Sequence, residues 1–144
     1  MPSFDLTIEI ARPPDDVFAL LTDVERLPEW QESAVSAAAD GPLAVGTVIG
    51  EQRRFMGRDV KTKDEVTTYE PPQRFDLKSQ GGPVNYTIRH TLSPSGTGTR
   101  LRVEVDVQVG AMMRLVAQAP LKAAEREFRS DFERLKRLVE TSDR

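Results

Sequence analysis

The chain has no cysteine and a single histidine. The first absence excludes disulfides, thiolate nucleophiles and thiolate-held metals, and the two together exclude the usual zinc centres. Neither a metal nor a cofactor is expected. No apolar run approaches the roughly 20 residues that span a bilayer, so no transmembrane segment is expected. The opening MPSFDLTIEI lacks a basic region followed by an apolar core, so no secretory signal is read and the cytoplasm is the expected location. Charge is also scarce in net terms. At −3 it gives no general reason to expect nucleic acid or an anionic membrane as partner. The patterns GxGxxG, GxxxxGK[ST] and GxSxG are missing, which removes motif support for nucleotide binding and serine hydrolysis.

What is present is periodic. Phe4, Leu6, Ile8 and Ile10 alternate with Asp5, Thr7 and Glu9, as a half-buried strand requires. Pro13 and Pro14 end that strand, because neither has an amide hydrogen for a ladder. Asp15 and Asp16 then suit the positive end of a helix dipole, and Val17, Leu20, Leu21 and Val24 recur at helical spacing. Thr22 or Asp23 can cap a second short turn through Leu27, stopped by Pro28 just before the only tryptophan, Trp30.

Six further strands are expected at 33–39, 47–56, 59–70, 74–80, 84–92 and 100–109, separated by turn chemistry such as EPPQR, QGGP and SPSGTG. The clearest is TRLRVEVDVQV, where Leu101, Val103, Val105, Val107 and Val109 alternate with polar residues. From about 111 to 140 the pattern is helical. Leu121, Ala124, Phe128, Phe132, Leu135 and Val139 form one stripe, which Pro120 is expected to kink or to separate from a first segment, 111–118. Residues 1–144 read as one domain, long enough to bury about two-thirds of its unfolded surface.

A seven-stranded antiparallel sheet with one apolar face needs a cover, and only the C-terminal helix is long enough to provide it. The element order, with IARPPDDVFALLTDVERLPEW, VGT at 45–47 and EVTTYEPPQRFDLKS at 65–79, resembles the START-like (SRPBCC) superfamily, in its polyketide cyclase/dehydrase and lipid-transport branch. The resemblance spans essentially the whole chain. It implies an α+β helix-grip fold: a curved sheet around a long C-terminal helix, two short N-terminal helices, and a ligand held between sheet and helix. Members of the superfamily bind sterols, lipids, quinones, plant hormones or polyketides, and some are enzymes. They share no universal catalytic motif, so the resemblance transfers no catalytic residue.

The candidate ligand-binding residues are Trp30, Tyr86, Ile88, His90, Met112, Met113 and Phe128. Trp30 follows the helical pair, at the pocket entrance or anchoring those helices on the sheet. Tyr86, Ile88 and His90 share one strand face, on which a phenol and an imidazole are the groups best able to orient a ligand or move a proton. Met112 and Met113 suit a pocket mouth that accepts varied apolar shapes, and equally a core gap. Phe128 is core or ligand wall. The catalytic candidates are His90, Tyr86 and Arg54. In GEQRRFMG, alternation leaves open whether Gln52, Arg54 and Met56 or Glu51, Arg53 and Phe55 face inward.

Three functions compete. The first is a carrier or binding module for a small hydrophobic or aromatic molecule, such as a lipid, quinone or polyketide. The second is a polyketide cyclase or dehydratase acting by substrate positioning and proton transfer. The third is an interaction protein that docks another chain, and a homodimer stays open. The first two require a cavity of at least about 300 Å³ between sheet and helix.

Overall fold

The computed structural model describes residues 3–55, 57–81, 85–108 and 118–142. In chain order come β1 (Ser3–Ile10), α1 (Pro14–Leu21), a 3₁₀ helix (Val24–Glu29), β2 (Ala34–Ala39), β3 (Val48–Phe55), β4 (Arg58–Glu70), β5 (Arg74–Ser79), β6 (Asn85–Ser95), β7 (Gly98–Gln108) and α2 (Gln118–Thr141). The strands form one seven-stranded sheet, ordered β1-β7-β6-β5-β4-β3-β2, with every pairing antiparallel. Alternation decides its inner face. Leu6 lies opposite Val103 and Ile8 opposite Leu101, while His90 pairs with Val103 and Phe75 with His90.

The helix stripe closes against that face, with Phe132, Leu135 and Val139 buried. Polar bonds fix where the helix lies. Arg134 donates through Nε to the Trp30 carbonyl at 3.1 Å, and Arg129 donates to the Asp5 carbonyl at 3.0 Å. Lys136 reaches the Glu9 carbonyl, and Glu140 accepts the Ala11 amide at 2.8 Å. The helix is thus tied to the β1 edge and to the segment after the 3₁₀ turn. Among the described residues no helix is long and apolar enough to cross a membrane.

Pro120 lies inside α2 as described from Gln118, so the kink or break expected there falls at the border of the described residues. Pro28 differs from the sequence expectation: it lies within the 3₁₀ turn, which runs on to Glu29. The segment expected at 111–118 lies outside the described residues except for Gln118.

The β6–β7 hairpin is tighter than SPSGTG suggests. The strands continue to Ser95 and resume at Gly98, leaving Gly96 and Thr97 in the turn, with Gly96 at φ 60°. Gly98 has a separate constraint: a Cβ there would stand 2.3 Å from the Ile10 carbonyl oxygen. That oxygen is backbone and cannot swing away. Gly98→Ala should therefore destabilise the protein by about 1–3 kcal/mol, the usual range for overpacking, read as a lower urea midpoint with an unchanged slope.

Candidate functional site

Between the inner face of the sheet and α2 lies a cavity of about 930 Å³. One part of its wall is aromatic. Phe132 projects from α2 to within 5.1 Å of the Trp30 ring and 5.9 Å of the His90 ring, centre to centre. His90 stacks on Phe75 at 5.6 Å, and Phe128 stacks on Phe132 at 6.1 Å. Ile88, Leu77, Val105 and Val107 extend the apolar lining.

A second part is polar, built where β3, β4 and β6 face the cavity. The register sets Glu51 opposite Thr62 and Ile49 opposite Asp64, so all four share the inner face. Tyr86 donates its hydroxyl to Asp64 Oδ1 at 2.6 Å. Its own amide donates to Ser79 Oγ at 2.9 Å, which steadies the start of β6. Arg53 donates through Nε to Glu51 at 2.6 Å, through Nη1 to Ser33 Oγ at 2.8 Å and through Nη2 to Gln31 Oε1 at 2.5 Å. Glu51 and Asp64 are both buried. Two acids and one guanidinium thus share an interior corner with a phenol.

Burial governs the protonation of these groups. Asp64 is pushed up to about 7, first by desolvation and then by the negative charge of Glu51, with which it stands in hydrogen-bonding reach; the Tyr86 hydroxyl only partly offsets this. Burial and the neighbouring Asp64 push the Tyr86 phenol above its ordinary range. His90 is pushed down to about 4 by burial, against the opposing pull of the Phe75 carbonyl and Asp76. On α2, Asp131 is raised to about 6, again chiefly by burial, although the Glu32 amide and Arg134 favour its charge.

The sequence candidates fall into three groups. Trp30, Tyr86, Ile88, His90 and Phe128 all line the cavity. Trp30 is only 1% exposed and packs on Phe132, so it forms part of the wall rather than a rim, and its Nε1 has no hydrogen-bond partner among the described residues. Arg54 is a correction. Its side chain is 60% exposed and bonds to Asp59 at 2.9 Å across the β3–β4 hairpin. The inward set of β3 is Ile49, Glu51 and Arg53, because Ile49 is the strand's buried anchor, and the interior guanidinium belongs to Arg53. Met112 and Met113 lie outside the described residues.

Sequence reasoning missed Asp64, Thr62 and Asp131 at the cavity. The available signal was the run Val60, Thr62, Asp64, Val66 alternating with Lys61, Lys63 and Glu65, whose outward positions are the more strongly charged. Among the described residues no group of three or more His, Asp and Glu side chains is arranged to hold a metal ion.

A curved antiparallel sheet closed by one C-terminal helix, with a cavity between them, is the helix-grip architecture of the START-like superfamily. The chain belongs to the family described as polyketide cyclase / dehydrase and lipid transport, which matches residues 1–140. Comparison with curated proteins found no match. Among solved structures it is similar to TTHA0849 of Thermus thermophilus, at 20% identity over 96% of this chain and 97% of that one, with a TM-score of 0.82. It is also similar to Ara h 8.0201, at 14% identity over 98% and 99% of the two chains and a TM-score of 0.73. A third likeness is to the di-domain ARO/CYC StfQ from the steffimycin biosynthetic pathway, at 12% identity and a TM-score of 0.78. That match takes 96% of this chain but 50% of the two-domain protein. At these identities the structural likenesses establish the fold.

Proposed function

We propose that this protein binds a small, predominantly apolar molecule between the sheet and α2 and acts as a carrier or binding module. The observation that carries the reading is the cavity of about 930 Å³, within the range of about 300–1,000 Å³ that small-molecule sites occupy. Its lining supports it further, since aromatic and aliphatic walls with a few convergent polar groups are what such sites use. On this reading residues 1–144 act as one binding domain.

A second reading, a cyclase or dehydratase-type enzyme, is favoured by one observation. Asp64, held by Tyr86 and beside Glu51, is a buried acid able to keep a proton near neutral pH, as a general acid or base must. His90 supports this reading less, because burial keeps it neutral over most of the working pH range.

Trp30 is the only tryptophan and lines the cavity, so it reports occupancy directly. Titration with the neutral fluorophore N-phenyl-1-naphthylamine should show saturable energy transfer from Trp30 at one site, with a Kd on the order of micromolar. Filling the cavity by Ile88→Phe together with Val107→Phe should weaken that binding about tenfold or more while the protein stays folded. Probe binding that ignores the paired substitution, or no binding at all, would remove the basis for the reading.

A further inference from the structure

We propose that the cavity selects ligands presenting a hydrogen-bond donor, a hydroxyl or protonated amine on an apolar body, and rejects the carboxylate of the same body. The inference rests on the binding reading above and assigns it a ligand class.

His90 is 4% exposed, and its Nδ1 stands 2.7 Å from the Phe75 carbonyl oxygen. A carbonyl only accepts, so Nδ1 carries the proton, and in the neutral ring Nε2 carries a lone pair. That atom has no partner among the described residues. It is the ring nitrogen left over once Nδ1 is bonded to the sheet, and His90 lines the cavity. It can only accept.

The polar corner points the same way. Tyr86 already donates its hydroxyl hydrogen to Asp64. Arg53 pairs its charge with Glu51 and also bonds Ser33 and Gln31, so its cation is already met by an acid of the wall. Lys61 and Lys63 also border the cavity, but strand alternation turns them to the opposite face from Thr62 and Asp64, and both are exposed. The acids lining the cavity are Glu51, Asp64, Glu127 and Asp131.

Two further groups lining the cavity, Trp30 Nε1, which only donates, and Thr62 Oγ1, which donates or accepts, have no partner among the described residues, and both are neutral. Neither offsets the desolvation of a carboxylate, let alone its repulsion from neighbouring acids. A ligand hydroxyl or ammonium finds acceptors at Asp64, Glu51 or His90.

A matched series isolates the head group: decan-1-ol, decylammonium and decanoate, each competing with N-phenyl-1-naphthylamine at about pH 7.5, where a carboxylate is ionised and an alkylamine protonated. The alcohol and the amine should each displace the probe at concentrations about tenfold or more below decanoate. Asp64→Asn should narrow the gap to about threefold by improving decanoate binding, because it removes a negative charge and adds a donor. The wild-type ranking needs no variant, so it stands as a test even if that substitution impairs folding. Decanoate matching decan-1-ol would overturn the inference. So would a probe that binds but yields to none of the three, which leaves the cavity reading intact. Failure of the probe itself to bind overturns both.

Discussion

Phe132→Ala should lower the free energy of unfolding by about 3 kcal/mol, toward the lower end of the range for large aromatic truncations. Phe132 is 2% exposed and is the ring through which α2 meets two other parts of the fold. It contacts Trp30 after the 3₁₀ turn, His90 on β6 and Phe128 one turn back on its own helix. Truncation removes apolar burial and three ring contacts at once, each such contact contributing about 0.5–1.5 kcal/mol beyond area. Helix and sheet cannot close over the loss, because Arg134, Lys136 and Glu140 tie the helix to backbone atoms elsewhere. The cost stays at the lower end because Phe132 already borders the cavity, so part of the vacated space joins an existing void. Urea denaturation would show a reduced midpoint with an unchanged slope. A change below about 0.5 kcal/mol, the size of an ordinary surface substitution, would show that the aromatic cluster does not hold the helix in place.

The second large effect is a pH-dependent gain in Asp64→Asn. In the folded protein Asp64 keeps its proton up to about 7, whereas an ordinary aspartate loses it near 3.8. Between those values the native state binds more protons than the unfolded state, so this group's contribution to stability falls as pH rises. The penalty is complete above about 7. Asparagine never ionises and still offers an oxygen to the Tyr86 hydroxyl. The variant should therefore gain roughly 2–4 kcal/mol relative to the parent between about pH 4 and pH 8.

The parent alone would hide this. His90 has the opposite sign: its pKa is lowered from 6.5 to about 4, so its contribution is full above 6.5 and is lost as pH falls toward 4. Asp131 acts in the same direction as Asp64, from 3.8 to about 6. The difference between variant and parent cancels both. Melting curves at the two pH extremes test it, and a difference that does not change with pH would mean that Asp64 is ionised in the fold much as in the unfolded chain.

Asp64 also marks the limit of what patterning reveals. The elements with a dry and a wet face were readable from their periods. Leu101, Val103, Val105 and Val107 are buried as their alternation demands, and Phe132, Leu135 and Val139 are buried as their helical spacing demands. Tyr86, Ile88 and His90 were placed on one inward face for the same reason, and they line the cavity. β3 was not readable, because each of its faces carries charge, and there Arg54 was a candidate while Arg53 lines the cavity.

Local spacing thus specified the strands, the helices and their apolar sides, since backbone geometry repeats every two or 3.6 residues whatever lies opposite. The meeting of Tyr86 with Asp64, 22 residues away in the chain, came from pairing across three strands. The same holds for the burial of two acids beside one arginine and for the volume left under the helix. A polar side chain enters an interior only when partners from other elements satisfy it, and a cavity persists only where packed neighbours hold its walls apart. Both depend on residues distant in the chain, and no stretch of sequence contains them.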